Sequence, residues 1–177
     1  MKVKTTILVI LLLPFIIGCG KLCKDMNLSF ERRDYTGTEL RVNGYYYSDS
    51  RPNGNSYLIY LYRNGVYYNA KSILTEDAKN GKIPESIIEN PISNSRASSG
   101  AFRIIGSGIE IEGWQPTLSC SKTMSQTGDI LNDSTFRVTR IEYMRKNGKV
   151  DRVDTTSTIY HFHAADRKPD STTNFVK

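Results

Sequence analysis

Twice along this chain an Asn-Gly pair separates two runs of alternating aromatic and β-branched residues, at Arg63-Asn64-Gly65-Val66 and at Arg145-Lys146-Asn147-Gly148-Lys149. Asn-Gly supplies the two positive φ angles of a type I′ turn, whose twist matches that of the strands it joins, so each pair predicts an antiparallel hairpin. The first joins strands over Ser56 to Arg63 and Val66 to Ser72. The second joins Thr135 to Lys146 with Lys149 to Thr155, and a final strand covers Thr156 to His163. A third hairpin follows from Ala101 to Ile105 and Ile109 to Trp114 around Gly106-Ser107-Gly108, where Ile109 and Ile111 alternate with Glu110 and Glu112. Upstream, Glu39 to Tyr47 reads as a strand ended by the polar turn Ser48 to Asn55. Only Ile73 to Ser99 departs from this pattern. There Thr75 opens a short helix through Lys79, and Ser86-Ile87-Ile88-Glu89 has the spacing of a capping box that Pro91 stops. The expected fold is all-β, an antiparallel meander of eight or nine strands with one loop or short-helix excursion. Tight turns between sequential strands favour a closed barrel, with a β-sandwich as the alternative.

The first residues call for a different treatment. Lys2 and Lys4 precede an apolar run from Ile7 to Ile17, too short for the roughly 20 residues that a spanning helix needs, and Gly18, Cys19 and Gly20 follow at once. Ile16-Ile17-Gly18-Cys19 resembles the lipobox of bacterial lipoproteins, which implies removal of residues 1–18 and acylation of Cys19. Several acyl chains give stable attachment to a membrane without crossing it. Gly20 is not the aspartate that holds lipoproteins at the inner membrane of enteric bacteria, so the outer membrane is the expected location. Lys24-Asp25 is similar to the short charged export signals of Bacteroidetes surface lipoproteins, which leaves periplasmic and surface-exposed placement both open. The chain then divides into a signal peptide (1–18), a lipidated tether (19–38), a barrel domain (39–163) and a polar tail (164–177) expected to lie loosely on the surface.

About 160 mature residues suffice for one domain with a full core. Removing Lys2 and Lys4 with the leader leaves 22 basic against 18 acidic residues, interspersed as in Glu31-Arg32-Arg33-Asp34. Such mixing marks solvated faces and, with export, excludes nucleic acid as a partner. If Cys19 carries lipid, Cys23 and Cys120 remain in an oxidising compartment as a candidate disulfide, with two free buried thiols as the alternative.

Gly44-Tyr45-Tyr46-Tyr47, Tyr60-Leu61-Tyr62-Arg63-Asn64-Gly65, Gly100-Ala101-Phe102, His161-Phe162 and Lys168-Pro169-Asp170-Ser171 together resemble small lipocalin-like lipoproteins of Bacteroidetes. The resemblance covers most of the mature chain. It implies a calycin-type barrel in the cell envelope and brings no catalytic residue with it.

Chemistry is sparse. His161 and His163 share one strand face but supply only two ligands, so no metal site is expected. Glu110 with Glu112, and Asp129 with Asp133, have the spacing of a half-solvated sheet as much as that of a glycosidase pair. No phosphate loop, nucleophile elbow or metalloprotease helix is present, so neither a cofactor nor catalysis is expected. Tyrosines are the informative feature, gathered on the first three predicted strands. Tyr45, Tyr47, Tyr60, Tyr62, Phe102 and Trp114 are the candidate lining of a site for a small apolar or amphiphilic ligand. The alternative is a packed interior, with the envelope domain engaging a protein or glycan partner instead.

Overall fold

The computed structural model describes residues 26–89, 96–115, 122–145 and 148–177. Eight strands run in sequence order: β1 (Gly44–Ser48), β2 (Asn55–Leu61), β3 (Val66–Leu74), β4 (Ser99–Ile105), β5 (Gly108–Gln115), β6 (Lys122–Asn132), β7 (Thr135–Met144) and β8 (Val150–Ala164). Each is antiparallel to the next, and β8 returns to β1 through Tyr45↔His163 and Tyr47↔His161, closing an up-and-down barrel consistent with a calycin-type fold. Closure leaves no sheet edge for another chain to pair with.

The hairpins form where the Asn-Gly pairs predict them, with a different turn. At Asn64-Gly65 only the glycine has positive φ, +75°, and its N–H donates to Tyr62 O at 2.9 Å. This is a type I turn followed by a left-handed glycine bulge, and the Asn64 side chain steadies it by accepting from Val66 N at 3.2 Å. At the second hairpin Gly148 likewise has positive φ, +74°, and its N–H donates to Arg145 O at 2.9 Å.

Several expected boundaries shift. Glu39 to Val42 is no strand: it belongs to a strap that crosses one end of the barrel, where Tyr35 N–H donates to Arg63 O at 2.6 Å and Arg41 N–H to Asp133 O at 2.8 Å. β6 lies on a polar stretch that carried no strand prediction. The two predicted strands after Lys149 are one, because bulges at Val138/Arg140 and Tyr143/Met144 let β8 bend without breaking. In the excursion, α1 (Thr75–Lys79) and α2 (Glu85–Ile88) lack the predicted side-chain caps. Thr75 Oγ1 instead donates to Gly54 O at 2.9 Å, and Ser86 lies inside α2 rather than ahead of it.

The C-terminal tail, expected to lie loosely, is fastened along the outside. Tyr62 Oη donates to Pro169 O at 2.9 Å, Asn64 Nδ2 to Ser171 Oγ at 3.2 Å, and Arg32 N–H to Lys177 O at 2.8 Å. Val176 is buried against Ala101 and Trp114.

Among the glycines where a side chain would not fit, Gly128 is the most tightly placed against backbone. Gly128 sits in β6 where the register with β7 slips, and a Cβ there would collide with the Arg137 carbonyl. We expect Gly128→Ala to lower stability by about 1–3 kcal/mol, read as a lower urea midpoint at unchanged slope.

Candidate functional site

Alternation divides the buried side chains into three groups, and their membership shows which face of the sheet each occupies. All eight strands contribute to the first, which includes Tyr46, Ile59, Leu61, Tyr67, Phe102, Ile109, Ile111, Phe136, Val138 and Tyr160, with Ile130 of β6 packed against them. Residues drawn from the whole circumference meet only inside, so this is the barrel interior. The second group draws on β1, β2 and β3 alone, with Ile83 and Ile87 of the excursion and Ala165 of the tail, so it lies on the outer wall. The third, Ala101, Trp114 and Val176 with Leu28, Phe30 and Phe175, is an outer patch covered by both chain ends.

The six candidate ligand-lining aromatics are therefore not brought together. Phe102 points inward, Tyr45, Tyr47, Tyr60 and Tyr62 lie in the outer-wall group, and Trp114 belongs to the patch beneath the chain ends. Tyr45 and Tyr47 do share a face, as their spacing predicts, but it is the face opposite Tyr46. Sequence periodicity gives the shared face and does not say which one is concave.

The interior is filled from the strap end. Phe136 stacks on Tyr160 with ring centroids 4.9 Å apart and leans on Tyr46 at 5.2 Å, and Tyr46, Phe102 and Phe136 are each at most 2% exposed. Toward the other end the inward positions turn polar. The Tyr67 hydroxyl meets the side chains of Asn69 and Gln126, and burial pushes its pKa well above the usual tyrosine value.

The outer tyrosine layer encloses a buried lysine. Lys168 Nζ donates to Val42 O at 2.8 Å and Leu61 O at 2.9 Å and lies 4.0 Å from the centroid of the Tyr62 ring. Burial pulls its pKa down to about 8. Beside it, the Tyr60 hydroxyl is buried without a hydrogen-bond partner among the described residues. Tyr45 Oη donates to Ala78 O at 2.6 Å, and burial raises its pKa to about 12. This layer seals α1 and the tail onto the wall. It also accounts for Lys168-Pro169-Asp170-Ser171, whose side chains and backbone carry the fastening.

The histidines are engaged as single residues. His161 Nε2 lies 2.9 Å from Asp49 Oδ1, while the His163 ring stacks on Tyr45 at 5.1 Å and its Nδ1 lies 2.7 Å from Ala164 O. Among the described residues no three His, Cys, Asp or Glu side chains are placed to hold a metal ion. The carboxylates have separate partners as well: Glu110 binds Arg103 at 2.6 Å, Asp129 binds Arg137 at 2.9 Å, and the buried Glu112 accepts from Ser29 N and Oγ at 2.6 and 2.7 Å. Cys19, Cys23 and Cys120 lie outside the described residues.

Two clefts open at the strap end, and another of about 420 Å³ lies at the far end between Gln115, Lys122, Tyr143 and Arg152. A cleft of about 520 Å³ runs between the strap and β4, with Tyr35, Phe102 and Ile104 on its apolar side and Glu31, Arg33, Asp34 and Arg103 on its polar side. A second, of about 530 Å³, continues from Glu39 past Ser107 to Leu131. Ile105 and Leu131 border these clefts with 57% and 47% of their surface exposed. The strap residues were not singled out in sequence because Glu31 to Glu39 has no periodicity; its only signal is Tyr35 in an otherwise polar stretch.

Comparisons with protein-family models, with curated proteins and with solved structures found no match to this chain.

Proposed function

We propose that the chain is a lipid-anchored lipoprotein of the cell envelope, on the outer membrane, whose barrel is a rigid interaction module with a filled interior. The observation that carries this reading is the interior cluster itself: every strand contributes to it, and its largest rings are almost wholly removed from solvent. A carrier of apolar cargo keeps that volume open and lined, commonly several hundred Å³. Here the same volume holds aromatic side chains, and the accessible apolar surface lies outside it, with Ile105 and Leu131 on the strap-end rim. A rim of that kind suits contact with an envelope protein or glycan.

The strap-end cleft favours a second reading. Its size and its pairing of an apolar side with charged residues suit one small amphiphile held outside the barrel.

Attachment is tested by fractionation. Cys19→Ala is expected to move the protein from the membrane to the soluble envelope fraction and to abolish the acyl mass on the mature N-terminus. Membrane retention of the variant would contradict the anchor.

A further inference from the structure

We infer that the barrel stands on the lipid surface with the tip of the β7–β8 hairpin against the headgroups and the strap end turned away. The inference rests on the lipoprotein reading, because the acylated Cys19 supplies the fixed point. The chain does not approach the barrel at the strap. Met26 O accepts the Trp114 indole N–H at 2.7 Å, near the end of β5 far from the strap, and the chain then climbs the wall through Ser29 on Glu112 and Phe30 on Arg103 before crossing the top. Six residues lie between Cys19 and Met26, seven Cα-to-Cα steps, a reach of at most about 25 Å when fully extended. That is too short for the acylated end to pass around the barrel freely, so the Trp114 end is held next to the membrane.

The surface presented at that end is suited to a bilayer. β7 and β8 are among the longest strands, and their hairpin carries Met144, Val150 and Val153 on its outer face, as the pairings Met144↔Val150 and Glu142↔Val153 require. Val150 and Val153 are 44% and 43% exposed. Around them Arg140, Arg145 and Arg152 pair with Glu142, Asp151 and Asp154, and Lys149 with neighbouring Lys122 makes the surround net positive. An apolar strip within a net-positive surround matches an anionic headgroup layer, where each basic residue adds about 1 kcal/mol of attraction.

The test places one fluorophore at either end of the acylated mature chain. Cys23→Ser and Cys120→Ser leave no free thiol, and Val150→Cys or Leu131→Cys, both exposed positions, receives a nitrobenzoxadiazole label. The protein is reconstituted in phosphatidylethanolamine–phosphatidylglycerol vesicles carrying a spin-labelled phospholipid. The label at 150 is expected to be quenched at least about twofold and the label at 131 left unchanged; adding Arg145→Glu and Lys149→Glu is expected to weaken the quenching at 150. Equal signals at the two sites, or quenching at 131 alone, would overturn the orientation while the acyl mass still upheld the anchor. Absence of the acyl mass would overturn the anchor, and the orientation with it.

Discussion

Phe136→Ala is expected to lower the stability of the barrel by about 3–5 kcal/mol, a large share of what a domain of this size has to lose. The residue is fully buried, stacks on Tyr160 and abuts Tyr46, and sits on β7 one strand from the β1–β8 seam that closes the sheet. Truncation opens a cavity among rigid aromatic neighbours that are fixed to different strands, so the site can collapse only slightly. Chemical denaturation monitored by far-UV circular dichroism reads the loss. A change below about 1 kcal/mol would mean that the interior is loosely filled and has room for something else.

The second large effect concerns pH. Lys168 in the folded chain has its pKa pulled down to about 8 by burial, against an ordinary value of 10.5. Between these values the unfolded chain binds the proton and the folded chain does not, so stability rises with pH across this window. Relative to Lys168→Met, the unsubstituted protein is expected to gain about 2–3 kcal/mol between pH 7 and pH 10. Above pH 10 the tyrosines act in the opposite direction. Burial raises the pKa values of Tyr45, Tyr46, Tyr60, Tyr62, Tyr67 and Tyr160, so each favours the unfolded, ionised state as pH climbs past the ordinary tyrosine value. Urea midpoints measured from pH 7 to pH 11 should therefore rise and then fall, and in Lys168→Met only the fall should remain. A flat difference between the two proteins across pH 7–10 would show that Lys168 keeps the ordinary lysine pKa in the folded chain and is not buried as described.

The barrel was legible because its signals are local. A glycine bulge at Gly65 and a positive-φ glycine at Gly148 fix hairpins whatever the rest of the chain does, and alternation in Gly108–Gln115 gives both faces of β5 at once. β6 was not legible, because half of it faces the polar part of the interior: Gln126 and Gly128 occupy positions where the pattern needs large apolar residues. The eight-strand count agreed with the lower expectation through two compensating differences, the missing β6 and the division of β8 into two. The candidate site was less legible still. That Tyr45, Tyr60 and Tyr62 cluster follows from their spacing, but their exclusion from the interior depends on α1, α2 and the tail covering the outer wall, a long-range arrangement that strand period does not encode. Lys168 belonged to a motif that carried the resemblance, but nothing local signalled its burial, since its environment is made by Val42, Leu61 and Tyr62, more than 100 residues away.

The central claim is that this barrel is filled by its own side chains and carries no cargo inside. Native mass spectrometry of the mature protein recovered from bacterial envelopes, compared with its mass after denaturation, tests it most directly. The account predicts that the two masses agree once the covalent acyl chains are counted in both. A reproducible excess in the native mass, released by organic extraction and retained in Arg33→Ala and Arg103→Ala variants of the strap-end cleft, would place a ligand inside the barrel and contradict the account.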